Sequence, residues 1–280
     1  MSAPDFVAIG HVTLDRFGDV TRPGGAALYA AVTADRLGLS VGLLTSHGDD
    51  FPLDAIPPRI EVVSVPGAST TRFEHREVAG EREMAITDLA RPLGAKEVPE
   101  DWAEAPIVLL APVADEVDPL CAAAFADAAI GAAAQGWLRQ LGPAGVVVPR
   151  PWEFPDTVLG RVQSLFLSNE DVRGQEDAVV EWFQRVPVGA LTAGRHGALL
   201  FVNGYRYEVA PRTTEEVDAT GAGDVFAAAF LVSYHFGGDP WEAAVMATCA
   251  AALSVGGEGW SAVPNRGTLT AALEEYRSAG

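Results

Sequence analysis

Val217-Asp218-Ala219-Thr220-Gly221-Ala222-Gly223-Asp224 runs without a break into Val225-Phe226-Ala227-Ala228-Ala229-Phe230-Leu231, and the reading of that junction decides the fold. Thr220, two glycines and the small Ala222 give a tight turn with little side-chain bulk. The apolar run after it reads as a buried helix, so the turn sits at a helix N-terminus. Backbone N–H groups there lack intrahelical partners and the helix dipole is positive, so Gly221-Ala222-Gly223 suits an anion such as a phosphoryl group. Asp224 has two readings. A carboxylate beside an anion site is repulsive unless it has proton chemistry to perform, which points to a general base for an attacking hydroxyl. The other reading is a helix cap beside glycines in a left-handed turn; a short Gly-rich string leaves both open.

Composition limits what such a site could serve. With 280 residues, 49% hydrophobic and 20% charged, the chain has the balance of a soluble globular protein. It is long enough for a full core in one large domain, alone or with a small appendage. The net charge is −19 and Lys96 is the sole lysine. So acidic a chain repels nucleic acid and anionic membranes, and neither is expected as a partner. A Walker A loop needs Gly-Lys-Ser/Thr, which does not occur here, so phosphate chemistry must rest on amides, arginine and a metal. Cys121 and Cys249 are too few and too far apart for a disulfide framework or zinc ribbon. No apolar run has the length to span a bilayer, and Met1-Ser2-Ala3-Pro4-Asp5 lacks the layout of a signal peptide, so a cytoplasmic location is expected.

Outward from the junction, the pattern is that of an α/β chain. Asp5 to Gly10 is a short apolar run ending in Gly, expected as a buried first strand. His11 to Asp15 and Arg22-Pro23-Gly24-Gly25 follow, then a helix from Ala26 to Leu37 closed by Gly38. A glycine pair opening a helix permits close approach to the backbone, or is a plain helix start. Strands are expected at Val41–Thr45 and Ile60–Val65, and Thr71–Val78 with Arg82–Ile86 flank Ala79-Gly80-Glu81 as a charged hairpin. Pro106–Ala111 is the clearest buried strand. Pro119 to Gln135 is Ala-rich and reads as helix then strand, the strand near Ala129–Ala133. Arg139, after that strand's end, either reaches a ligand or lies on the surface stacked on Trp137, and the surface reading is favoured. Gln163–Leu167 is a strand that delivers Ser168-Asn169-Glu170-Asp171 to its end. Val188–Thr192 and Ala198–Val202 flank a Gly-bearing turn, and helices close the chain at Pro240–Val255 and Leu269–Tyr276.

The full string Asp218-Ala219-Thr220-Gly221-Ala222-Gly223-Asp224, with Phe226 two residues on, closely resembles the C-terminal signature of the ribokinase (PfkB) family of carbohydrate kinases, usually Asp-Thr-Thr-Gly-Ala-Gly-Asp. The resemblance implies a ribokinase-like three-layer α/β sandwich, with a mainly parallel sheet flanked by helices. Residues 1–280 would form one such domain, with a small β lid from about 11–20 and 68–90. It implies ATP-dependent phosphorylation of a hydroxyl on a small sugar or polyol; a nucleoside or cyclitol acceptor, or a catalytically silent ligand-binding relative, are the alternatives. By the same resemblance Asp224 is the catalytic base, and the amides of Gly221, Ala222 and Gly223 form the anion hole. Asp15, Gly24 and Gly25 match the positions that bind substrate hydroxyls. Thr192, Gly194 and Gly197 match a Thr-x-Gly-x-x-Gly segment along the nucleotide phosphates, although spacing alone shows only a hairpin turn.

The family's Asn-x-x-Glu motif organises Mg²⁺. Anchored on Asn169 it would place Val172 at the acid position; anchored on Ser168 it places Asp171 there, the preferred register, with a capped helix start as the alternative. Asp218 and Thr220 resemble elements that bind a monovalent cation such as K⁺ in some relatives. Lid strands in the family often pair between subunits, which implies a homodimer through the lid. The chain departs from the family at Thr13 and Tyr29, where Asn is usual, and both face the substrate.

Overall fold

A computed structural model describes residues 2–78 and 81–279 of the chain. The expected turn residues Ala79 and Gly80 lie outside these. The chain opens with β1 (Phe6–Ile9), in which all four residues are buried, as in a strand covered on both faces. An antiparallel pair, β2 (Thr13–Phe17) and β3 (Val20–Gly24), precedes α1 (Ala26–Arg36) and β4 (Val41–His47). Next come β5 (Ile60–Pro66), β6 (Thr71–Val78), β7 (Glu81–Asp88) and β8 (Ile107–Leu110).

The Ala-rich stretch does not build a long helix. Asp118 caps a short 3₁₀ turn at Pro119–Ala124 and the chain then extends into β9 (Ala129–Ala133), which pairs with strands on both sides. Backbone pairing in the sheet centre overrides alanine's helix preference there. A small hairpin, β10 (Arg139–Leu141) and β11 (Val147–Pro149), leads to α2 (Pro155–Leu159) and β12 (Ser164–Ser168). The chain continues through α3 (Glu176–Gln184), β13 (Val188–Thr192), β14 (Ala198–Val202) and β15 (Tyr205–Val209). It ends in α4 (Ala222–Gly237), α5 (Pro240–Ser254) and α6 (Arg266–Ala279).

Among the described residues the main sheet runs β15-β14-β13-β12-β9-β8-β1-β4-β5, parallel from β13 to β5, with β14 and β15 antiparallel at one edge. From β1 the chain first builds outward to β4 and β5, then returns to β8 and builds the other way. The order therefore reverses between β1 and β8, and ligands of open α/β sheets collect at the carboxyl ends of strands at such a point. A second sheet, ordered β3-β2-β6-β7, is inserted in the connections after β1 and β5.

Alternate residues of β1 supply two cores. Phe6 and Ala8 join Leu43, Leu109 and the buried faces of α1, α4 and α5; Val7 and Ile9 join Leu44, Val108 and Leu110 with Trp102, Trp137, Trp152 and Trp182 on the opposite face. Fully burying one such large side chain stabilises by about 1.5–3 kcal/mol. No helix among the described residues is long and apolar enough to cross a membrane.

Candidate active site

The signature turn does open a helix. Gly221 is the N-cap residue of α4 in the left-handed conformation (φ 77°, ψ 0°), which a glycine reaches without steric cost. A Cβ at Gly221 would overlap Cγ, Cδ1 and Cε1 of Tyr29, so the turn rests on that ring and only glycine fits. Of the three amides expected to form an anion hole, that of Ala222 donates to Ala219 O at 3.2 Å. The N–H groups of Gly221 and Gly223 have no acceptor among the described residues, and Gly223 is exposed. The free amides are thus those of the two glycines.

Asp224 stands half-buried in the first turn of α4. Burial pushes its carboxyl up to about 7; the charge of Asp171 acts the same way, Arg139 pulls back, and Asp15 adds a small further rise. Asp15, on β2, belongs to the same cleft. It is buried, accepts from Thr13 Oγ1 at 2.9 Å, and its Oδ2 fills the space a Cβ on Gly24 would need. Burial raises its carboxyl to about 6 against the Thr13 hydrogen bond, with Asp218 adding to the rise. A buried carboxylate with a single side-chain donor is short of hydrogen bonds, and the hydroxyls of a polyol would supply them. Gly25, the N-cap residue of α1, brings Tyr29 beneath the turn, and the Tyr29 ring meets Trp260 edge-on with centroids 5.9 Å apart.

Asp218 is tied into the backbone. Its Oδ1 accepts Thr220 N–H at 3.0 Å and its Oδ2 accepts Gly259 N–H at 3.1 Å, while Arg22 of β3 lies 3.5 Å away and bridges to Glu258 at 3.0 Å. Burial alone would raise this carboxyl, but these hydrogen bonds and Arg22 hold it below its ordinary value. Arg22 therefore links the second sheet, the expected lid, to the loops before α4 and after α5, at the carboxylate expected to meet a monovalent cation.

Asp171 lies in a reciprocal exchange: Ser168 N–H and Oγ donate to its Oδ2 at 3.0 and 2.6 Å, and its own N–H donates back to Ser168 Oγ at 3.2 Å. The exchange closes a turn at the end of β12 and is no helix start, since α3 begins only at Glu176 with Gln175 as its N-cap residue. Its Oδ1 takes Gln135 Nε2 at 3.1 Å and faces Arg139 Nη2 at 3.6 Å. Arg139 therefore turns into the cleft, and the favoured surface placement on Trp137 is corrected. Trp137 stacks instead on Trp152, centroids 5.9 Å apart, and donates to Val117 O at 2.9 Å.

Beside the turn is a cavity of about 270 Å³ that brings together Thr192, Gly194, Gly197, Ala222 and Gly223. Sequence reasoning missed its other walls: Arg195 and Arg212, and Phe226, Thr248, Ala251, Ala252 and Val255 from α4 and α5. The hydroxyl of Thr248 is buried there without a partner among the described residues. Apolar walls with a few polar groups and an anion site at one end suit a flat heterocycle carrying phosphates.

Residues 163–266 match the model of the pfkB family carbohydrate kinase. Over 256 residues the chain is 28% identical to a cytidine kinase of Thermococcus kodakarensis, covering 83% of this chain and 89% of that one. A pyrophosphate-dependent kinase in the ribokinase family, solved with a pyrophosphate analog and myo-inositol, superposes with a TM-score of 0.78 at 22% identity over 95% of this chain and 99% of its own. The ribokinase of Thermotoga maritima gives 0.74 at 21% identity over 97% and 99%. The fold is therefore ribokinase-like.

Proposed function

From the premise that this chain is a ribokinase-fold phosphotransferase acting on hydroxyl groups, with a pfkB family carbohydrate kinase domain, we propose that it moves the terminal phosphoryl group of ATP to a hydroxyl of a small sugar or polyol. The observation that carries this reading is the cavity that joins Thr192, Gly194 and Gly197 to the Gly221–Asp224 turn. A nucleoside triphosphate seated there has its base against Phe226, Ala251 and Val255 and its phosphates toward the helix N-terminus. Pyrophosphate, the donor named for one similar structure, has no use for those apolar walls.

Asp15 orients the acceptor through its hydroxyls from the lid side. Asp224 takes the proton of the attacking hydroxyl, whose oxygen forms the new bond to phosphorus as the bridging P–O bond breaks and its electron pair leaves with ADP. The Gly221 and Gly223 amides and the positive end of α4 meet the charge on the equatorial oxygens. Among the described residues no three His, Cys, Asp or Glu side chains converge on one point. Mg²⁺ accompanying ATP would therefore take its ligands from phosphates and water, with Asp171 reaching it through water, an arrangement ordinary for this ion. That ion supplies neutralisation of the donor oxygens. Arg22 already provides a positive charge beside Asp218, so the reading requires no K⁺.

A second acceptor class, a nucleoside, is favoured by the 28% identity to a cytidine kinase and by the aromatic pair Tyr29 and Trp260 beside the turn. A homodimer through the lid sheet, whose outer strand β3 leaves Val20 exposed, belongs to the proposal, and light scattering tests it. The function is tested by incubating the protein with ATP, CTP or pyrophosphate against ribose, fructose, cytidine, adenosine and myo-inositol, with phosphorylated products identified by mass spectrometry. Product from ATP and a sugar supports the first reading and product only from cytidine or adenosine the second. Product only from pyrophosphate overturns the donor assignment.

A further inference from the structure

Arg139 has no part in the transfer described above, although it faces Asp171 in the cleft. It is drawn largely out of water at the start of β10, its side chain 21% exposed, and burial depresses its pKa against the pull of Asp171, Asp224 and Glu170. Burying a guanidinium is costly unless its N–H groups are bonded. Yet none of its donors has an acceptor within hydrogen-bond distance among the described residues, since Asp171 Oδ1 stands off at 3.6 Å. Nor does Asp171 need it: that carboxylate already accepts from Ser168 N–H, Ser168 Oγ and Gln135 Nε2. No Arg139 nitrogen is sealed from solvent without a partner, so beyond the 3.6 Å pairing with Asp171 its N–H donors stay open to a ligand.

Other sources of positive charge lie elsewhere. Lys96, the only lysine, is exposed on a remote 3₁₀ turn. Arg195 and Arg212 line the donor cavity, and Arg212 is paired with Glu275 at 3.0 Å. Arg139 is the cation that faces Asp171 and acts on Asp224.

We propose that Arg139 is a catalytic residue that donates from its guanidinium to the phosphoryl group in flight. It keeps all its protons throughout. The proton of the acceptor goes to Asp224, and Arg139 meets the charge that spreads over the equatorial oxygens while the new O–P bond forms and the bridging one breaks. A planar fork of donors matches that group better than an ammonium would. The inference rests on the kinase reading above.

The test measures binding of ADP with aluminium fluoride, a mimic of the transferring phosphoryl, in the presence of MgCl₂ by calorimetry, so that no acceptor need be known. Arg139→Met is expected to bind ADP within about threefold of the parent while losing about 10²-fold to 10³-fold for the fluoride complex, the size of loss typical of a transition-state contact. Arg139→Lys should recover part of it. If the arginine merely balanced Asp171, the double variant Arg139→Met/Asp171→Asn would regain the parent affinity; the proposal expects it to stay weak, and recovery overturns it. An unchanged fluoride complex in Arg139→Met also overturns it. Failure of the parent to bind ADP at all would instead overturn the kinase reading, and this inference with it.

Discussion

Replacing Gly221 by alanine tests the geometry of the turn without removing a titratable group. Two costs are separable. An L-residue held in the left-handed conformation that Gly221 adopts (φ 77°) costs about 1–2 kcal/mol. The new methyl also meets the Tyr29 ring, and such overpacking costs about 1–3 kcal/mol more. The variant should therefore lose roughly 2–5 kcal/mol in urea denaturation followed by tryptophan fluorescence. In a Tyr29→Ala background every side-chain atom beyond Cβ is gone and only the backbone cost should remain, about 1–2 kcal/mol. The difference is a coupling between turn and ring of about 1–3 kcal/mol. Equal losses in both backgrounds would show that the ring does not support the turn, and a loss well under about 1 kcal/mol in the parent would show that the turn is not left-handed.

The pH dependence of stability follows from Asp224, whose carboxyl is raised from 3.8 to about 7 by burial first. A raised carboxyl favours the folded state fully below 3.8 and loses that contribution as pH rises through about 7. Asp224→Asn should match the parent near pH 4 and exceed it at pH 8 by on the order of 3–4 kcal/mol, read from thermal unfolding across pH; a variant no more stable at pH 8 refutes the burial argument. Thr248→Val removes a hydroxyl that has no protein partner, so the fold should not weaken, while KM for ATP should rise about twofold to tenfold if the base bonds that group. Arg22→Gln cuts both ion pairs from the lid to Asp218 and Glu258, and KM for the acceptor should rise about threefold to tenfold with little change for ATP; an effect confined to ATP would contradict the lid role.

The parts of the fold that could be read from sequence were those in which one pattern dominates. β1, β4, β8 and β12 are short apolar runs with turn residues at their ends, and α1 and α4 are opened by glycines. The strands of the lid nearest the site were harder. β2 carries Asp15 and Arg16, and β3 carries Pro23 and Gly24, so neither shows clean alternation. The three-residue strands β10 and β11 have too few positions for any period.

In the site, the Gly221–Asp224 turn was visible because its chemistry and its conformation require the same small residues. The cavity's back wall was not, because Thr248, Ala251 and Val255 are unremarkable members of an apolar helix until α5 packs against α4. Arg139 meets Asp171 across 32 residues of chain, a pairing set by the sheet order of β9 and β12 rather than by anything local. The register Ser168 to Asp171 was readable as a spacing, but whether it served a turn or a metal depended on partners outside the motif.

The most direct measurement is the rate of phosphoryl transfer by Asp224→Asn beside the parent, with the acceptor found in the substrate panel and with unfolding curves showing both to be folded. A base at this position requires the variant to lose about 10²-fold to 10⁴-fold in kcat, and requires the parent's rate to fall as pH drops below about 7, where Asp224 takes up its proton. A folded variant that turns over at the parent's rate would contradict the account.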